Sequence, residues 1–266
     1  MEVVAYLASA LIGISLGLVG GGGSILTVPV LVYLFGIAPL MATSYSLFIV
    51  GSTSLVGAYQ NYKNGQVQVK TALLFGLSSV TTVWLSRKFL IPAIPPHIAS
   101  FEHFELTENM LMMSLFAILM LIAAIAMIRS GKNKVEEPQV SKDLNLPKLL
   151  CYGVGIGFIT GLLGAGGGFL LIPTLVVLLG LPMKEAIGTS LFIIALNSLI
   201  GFSGDFGHFD IDWVFLLKIT FIAIVGIFIG GNLSRKVDGK KLKIGFGWFV
   251  LVMGVYILTK ELLFKS

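Results

Sequence analysis

Runs of glycine set between apolar segments are the residues in this chain whose type and spacing could do chemistry. The stretch GLVGGGGSILTVP at 17–29 recurs as GLLGAGGGFLLIP at 161–173, 144 positions later. About 19 of the 41 positions from 17 to 57 are identical at that offset, which marks an internal duplication rather than shared apolar composition. Glycine lets the backbone approach a ligand with no Cβ in the way. A half-helix starting near Ser24 or Phe169 would aim its N-terminal N–H groups, carrying roughly half a positive charge, at an anion. Gly20, Gly21, Gly22, Gly23 and Ser24, with Gly164, Gly166, Gly167 and Gly168, are therefore candidate substrate-binding residues. The competing reading is close helix packing through small residues, which explains spaced glycines better than consecutive ones occurring twice.

A second polar cluster follows each break: ATSYSLF at 42–48 and AIGTSLF at 186–192, with STS at 52–54 matched by LNS at 196–198. Helical spacing can place these groups on one inward face, making Ser46, Ser190 and Asn197 candidates for bonding the same anion. Interhelical hydrogen bonding without a ligand is the alternative. No carboxylate falls centrally in an apolar span, so an intramembrane proton relay has no obvious members. Asp205 and His208, just past the second cluster, are the candidates for coupling to H+ or Na+, against the plainer reading of a solvated loop. Arg87 and Arg235 read as helix-end anchors whose heads snorkel to the membrane surface.

Catalytic signatures are missing. The chain contains no G-x-x-x-x-G-K-[ST], GxSxG or HExxH, and His97, His103 and His208 lack metal-ligand spacing. No enzyme activity, cofactor or metal centre is expected.

The elements that must position these residues are membrane helices. Of 266 residues, 56% are hydrophobic and only 12% charged, with a mean hydropathy of +0.97. Soluble domains carry roughly 25% charged residues. Apolar spans recur at 3–19, 24–35, 42–59, 69–89, 109–128, 149–163, 169–179, 185–202, 213–233 and 244–263, many of them near the roughly 17–25 residues that crossing a bilayer requires. The first is expected to be a retained helix rather than a cleaved signal. Residues 1–128 form a first transmembrane repeat, 129–147 a polar cytoplasmic linker and 148–266 a second repeat. Cys151, the single cysteine, excludes an internal disulfide and reads as a small buried apolar residue.

Charge sets the orientation. The formal net charge of +5 lies in short loops, a pattern of topology signals and headgroup contacts rather than of nucleic-acid binding. If each glycine-broken pair enters and leaves on one side and the linker is cytoplasmic, about 13 of 18 Lys and Arg fall inside, and both termini lie outside. The expected fold is thus all-α: a polytopic bundle of two inverted repeats, each beginning with a glycine-broken helical hairpin. Such architectures place a binding site at the midplane where broken helices meet.

The twin GxxxGxGGG-like breaks followed by Val-Pro or Ile-Pro, each leading into a Ser-Leu-Phe helix, resemble the TauE/SafE family of membrane transporters, also called the sulfite exporter family. The resemblance covers the chain apart from the linker. It implies a plasma (inner) membrane protein that moves small anions, with sulfite, organosulfonates or related organic acids as substrate class. Alternating access by a secondary transporter is the expected mechanism; a passive anion channel and a non-transporting membrane scaffold are the alternatives. A homo-oligomer is compatible with this reading. Ala165 departs from the pattern where the first copy has Gly21, and Ile187-Gly188 stands where the first copy has Thr43-Ser44, so the half-sites differ chemically.

Overall fold

A computed structural model describes residues 2–95, 97–101, 104–132, 146–208, 210–234 and 239–263. Apart from one short hairpin, the described chain is helical. The first half comprises α1 (Glu2–Val19), a 3-10 turn (Gly20–Leu26), α2 (Thr27–Tyr33), α3 (Pro39–Lys63), α4 (Val69–Leu85) with a π turn at Ser86–Leu90, and α5 (Glu108–Lys132). Between α4 and α5, where the sequence suggests only a loop, β1 (His97–Phe101) pairs antiparallel with β2 (Phe104–Thr107). The second half repeats the plan as α6 (Leu146–Leu163), α7 (Gly168–Leu179), α8 (Met183–Gly204), α9 (Trp213–Ser234) and α10 (Gly239–Leu263). Most of the expected linker, together with His103 and Arg235, lies outside the described residues.

Six helices, at Pro39–Lys63, Val69–Leu90, Glu108–Arg129, Met183–Gly204, Trp213–Leu233 and Ile244–Glu261, are long and apolar enough to cross a membrane. At 1.5 Å per residue they measure about 27–38 Å, against a hydrocarbon core of about 30 Å. α2 and α7, with 7 and 12 residues, are too short to cross alone. Each follows a break that turns the chain back on itself: Gly23 lies against the backbone of Ser15 and Leu16, and Gly167 against Thr160. Pro29 falls in the first turns of α2, where a missing N–H costs little, whereas its counterpart Pro173 sits inside α7.

The halves interlock rather than sit side by side. α1 lies along α9 and α6 along α4; α3 packs on α8, and α5 on α10. Glycines make the close approaches possible. Gly57 faces Leu191 and Ile227, while Gly201 faces Leu47 and Val83, so the same positions touch with the repeats exchanged. Gly13 against Ala223 and Gly157 against Ser79 form another exchanged pair. Gly51 beside Leu199, with the Gly57 and Gly201 contacts, shows that α3 and α8 run antiparallel.

The core divides in two. One cluster runs through α1, α2, α3, α5, α9 and α10 and takes in Leu163 of α6 and Phe202 of α8, and the other joins α4, α6, α7 and α8 to Val50 of α3 through Phe75, Ile156, Leu171, Leu175 and Ile193. Cys151 is exposed, contrary to the expectation of burial: α6 is apolar all round, so the sequence pattern does not mark which of its faces turns outward.

Candidate functional site

The two glycine breaks meet. A Cβ built on Gly21 would stand 2.7 Å from the Cα of Gly168, so the two backbones are in direct contact. The exchanged pair is Ser24 with Ala165: the Ser24 hydroxyl donates to the carbonyl of Gly21 at 2.8 Å and also bonds the carbonyl of Ala165. This contact closes the two breaks directly against each other. Gly20 turns with φ +68° and abuts Ile187; Gly164, its counterpart, turns with φ +66° and abuts Thr43. Gly166 faces Val50, Ile194 and Ser198. Gly22 falls within the 3-10 turn, so the first half-helix proper begins at Thr27 rather than near Ser24.

Polar side chains around the breaks are buried, and several lack partners. Ser46, Ser54, Ser198, Thr27 and Thr160 have hydroxyls with no hydrogen-bond partner, as does the side-chain N–H2 of Asn197. The Asn197 carbonyl accepts from Ser79 at 2.8 Å, and the Ser190 hydroxyl donates to Ile187 at 2.9 Å. An unmade bond on a buried polar group costs about 1–3 kcal/mol, so a seam of them next to backbone turns is a place where a polar ligand or water is stabilising.

Two cavities approach this centre from opposite ends of the α3–α8 pair. The larger, about 620 Å³, is a vestibule whose lining includes Gln60, Asn61, Asn64, Gln66, Asn232 and Lys184 and which reaches Gly17, Gly20 and Ile187. Amides offer N–H donors without a negative charge, and Lys184 adds a positive one, which suits a small anion. The smaller, about 200 Å³, is lined by Leu40, Arg87, Ile91, Pro92, Ile94, Glu108, Asp205 and His208. At the offset of 144, Leu40, Arg87, Asp205 and His208 correspond to Lys184, Gly231, Asn61 and Asn64 of the vestibule. The cavities are therefore the same place in the two repeats.

Arg87 and Asp205 overturn two expectations. Arg87 does not snorkel: its side chain is 0% exposed and pairs with Asp205, also 0% exposed, through Nη1 to Oδ2 at 3.4 Å. Asp205 caps the C-terminus of α8 rather than lying in a solvated loop. His208 is exposed, and its backbone N–H donates to the Asp205 carbonyl at 3.1 Å. Asp205 lies seven residues beyond Ser198, about 10 Å along the helix, so these two stand apart from the breaks. Aromatic side chains crowd this end: Phe48, Phe202, Phe206 and Trp213 stack at centroid distances of 5.1–6.4 Å.

The sequence reading missed Gln60, Asn64, Gln66, Lys184 and Asn232, whose only signal was an excess of amides at helix ends. It also missed Glu261, buried in α10, which accepts a hydrogen bond from the Tyr33 hydroxyl at 3.1 Å while Lys260 lies over the Tyr33 ring. Among the described residues no group of three or more His, Cys, Asp or Glu could hold a metal ion.

Residues 5–257 match the family model described as Sulfite exporter TauE/SafE. A probable membrane transporter protein of Xylella fastidiosa is 26% identical over 263 residues, covering 97% of this chain and 95% of its own. The probable membrane transporter protein YdhB of Bacillus subtilis is 28% identical over 248 residues, covering 93% and 96%. A probable membrane transporter protein of Methanocaldococcus jannaschii is 26% identical over 262 residues. No solved structure matches.

Proposed function

The chain belongs to the sulfite exporter TauE/SafE family of membrane transporters, and from that premise we propose that it carries a small anion, sulfite or an organosulfonate, across the plasma membrane by alternating access. The observation that carries this reading is the pair of equivalent cavities: one is wide and reaches the first glycine break, while the other is small and holds a buried ion pair in its lining. Two repeats of opposite topology that rock against each other would exchange the wide and narrow ends.

The anion enters the vestibule past Lys184 and the amides and rests at its floor against Gly20, beside the contact of Gly21 with Gly168. Gly17 and Gly20 line that floor, and Ser190 lies on α8 between the lining residues Ile187 and Leu191, whereas Gly164 abuts Thr43 toward the smaller cavity. Asp205 and His208 at the other end are where H+ or Na+ coupling would act. With the lysine-rich loops inside, the vestibule opens to the cytoplasm.

Cys151→Ser removes the only cysteine, so Asn61→Cys in that background places a single thiol in the vestibule. In reconstituted liposomes, a membrane-impermeant thiol reagent should label it from one side only, and saturating sulfite should slow the labelling. Radiolabelled sulfite should show saturable counterflow. Labelling indifferent to every anion tried, with flux equal to empty liposomes, would leave a non-transporting scaffold as the better account; unitary conductance without counterflow would favour a channel.

A further inference from the structure

Arg87 is the largest fully buried side chain among the described residues. It lies on the π turn that ends α4, an element often found at functional sites. A guanidinium has five N–H donors, yet only Nη1 meets a partner, the Asp205 carboxylate at 3.4 Å, longer than the roughly 2.7–2.9 Å of a well-made charge-assisted bond. Nε and Nη2 are buried with no hydrogen-bond partner, while the Ser44 hydroxyl lies against the Asp205 carboxylate. Nε and Nη2 form one edge of the guanidinium, the edge that takes two oxygens of a carboxylate or an oxyanion side by side. Arg87 is among the residues that line a cavity of about 200 Å³, against roughly 30 Å³ for one water in the liquid.

We propose that this cavity is a second anion station, in which the free edge of Arg87 binds a small inorganic oxyanion while Nη1 keeps Asp205. The proposal deepens the transport reading, because the cavity is the counterpart of the vestibule in the other repeat. The anion and Asp205 share one guanidinium, and their repulsion limits affinity. Glu108, half-buried at the start of α5, adds to that repulsion. A site of this balance holds its ion loosely, as a transit station requires, whereas an arginine with no carboxylate beside it would trap the ion.

The test is sulfite binding to the purified full chain in detergent by titration calorimetry, in a Lys184→Gln background that removes the vestibule lysine. Arg87→Lys keeps the charge but loses the two-donor edge, and should weaken binding at least tenfold. Asp205→Asn removes the competing carboxylate and should tighten binding several-fold. The pair Arg87→Gln with Asp205→Asn leaves no unpaired buried charge, so it should stay monodisperse while binding is lost. Affinity within twofold of the parent in Arg87→Lys, or weaker binding in Asp205→Asn, or binding retained in the double variant, overturns the proposal. Saturable sulfite counterflow in the wild type alongside any of those results would leave the transport reading standing and remove only this station.

Discussion

The two glycine breaks begin alike and then part. Gly20 and Gly164, at equivalent positions, both turn with positive φ. The first break then runs through one 3-10 turn to Leu26, whereas the second takes two more left-handed residues, Gly166 at 66° and Gly167 at 67°, before α7. The contact between the repeats diverges in the same way. On one side of it Gly21 meets Gly168 backbone to backbone; on the other, the exchanged positions Ala165 and Ser24 meet through a hydroxyl. At the two ends the contrast is larger still, with Arg87 and Asp205 where the vestibule has Gly231 and Asn61. The duplication keeps the order of the helices and their exchanged contacts, while the backbone within the breaks and the side chains at the two ends have diverged.

If the narrow end depends on the ion pair, removing half of it should have the largest effect. Arg87→Ala strands the Asp205 carboxylate, and loss of one partner of a buried pair costs about 3–5 kcal/mol. Thermal melts in detergent should show a large drop that Asp205→Asn partly restores in the double variant; simple additivity would mean that the pair does not couple the two repeats. Next comes the contact at the centre. Gly21→Ala drives a methyl group into the backbone of Gly168, and overpacking of this kind costs about 1–3 kcal/mol, whereas Ala165→Gly should stay within about 1 kcal/mol. Equal effects at the two positions would erase the asymmetry of the breaks. Ser24→Ala removes the hydroxyl that ties the first break to Ala165 and should cost about 1 kcal/mol, while Ser46→Ala, whose hydroxyl has no partner, should cost less.

The breaks were legible in the sequence because backbone demands leave marks. Only glycine turns cheaply through positive φ or tolerates a neighbouring backbone at contact distance, so the runs survived in both copies at one offset. The burial of Arg87 left no such mark. Its partner is 118 positions away, and a π turn adds a residue to the helical ring, so the inward face beyond Leu85 cannot be counted from α-helical spacing. Leu-Ser-Arg-Lys recurs at 85–88 and 233–236, an offset of 148 that would pair Arg87 with Arg235. Contacts keep the offset of 144 as far as Val83 and Ile227, which sets Gly231 opposite Arg87 instead. The vestibule was hidden for a different reason: its amides come from the end of α3, the loop that follows it and the end of α9, and no single helix carries enough of them to form a pattern.

The smallest change in stability should come from the most direct exchange of one end for the other. Asn61→Asp gives the vestibule the carboxylate that its counterpart position carries as Asp205. Asp cannot make the bond that the Asn61 amide N–H2 donates to the Gly57 carbonyl at 2.8 Å, but Asn61 is only partly buried, so the loss should cost about 0.5 kcal/mol. Transport should respond more strongly, because a negative charge at the mouth repels the anion that Lys184 attracts, and the repulsion falls with added salt. Sulfite uptake at low ionic strength should drop several-fold in Asn61→Asp and recover in part as salt is raised. An uptake rate that ignores both the charge and the salt would place the path of the anion elsewhere than this vestibule, and would leave the difference between the two ends a matter of packing alone.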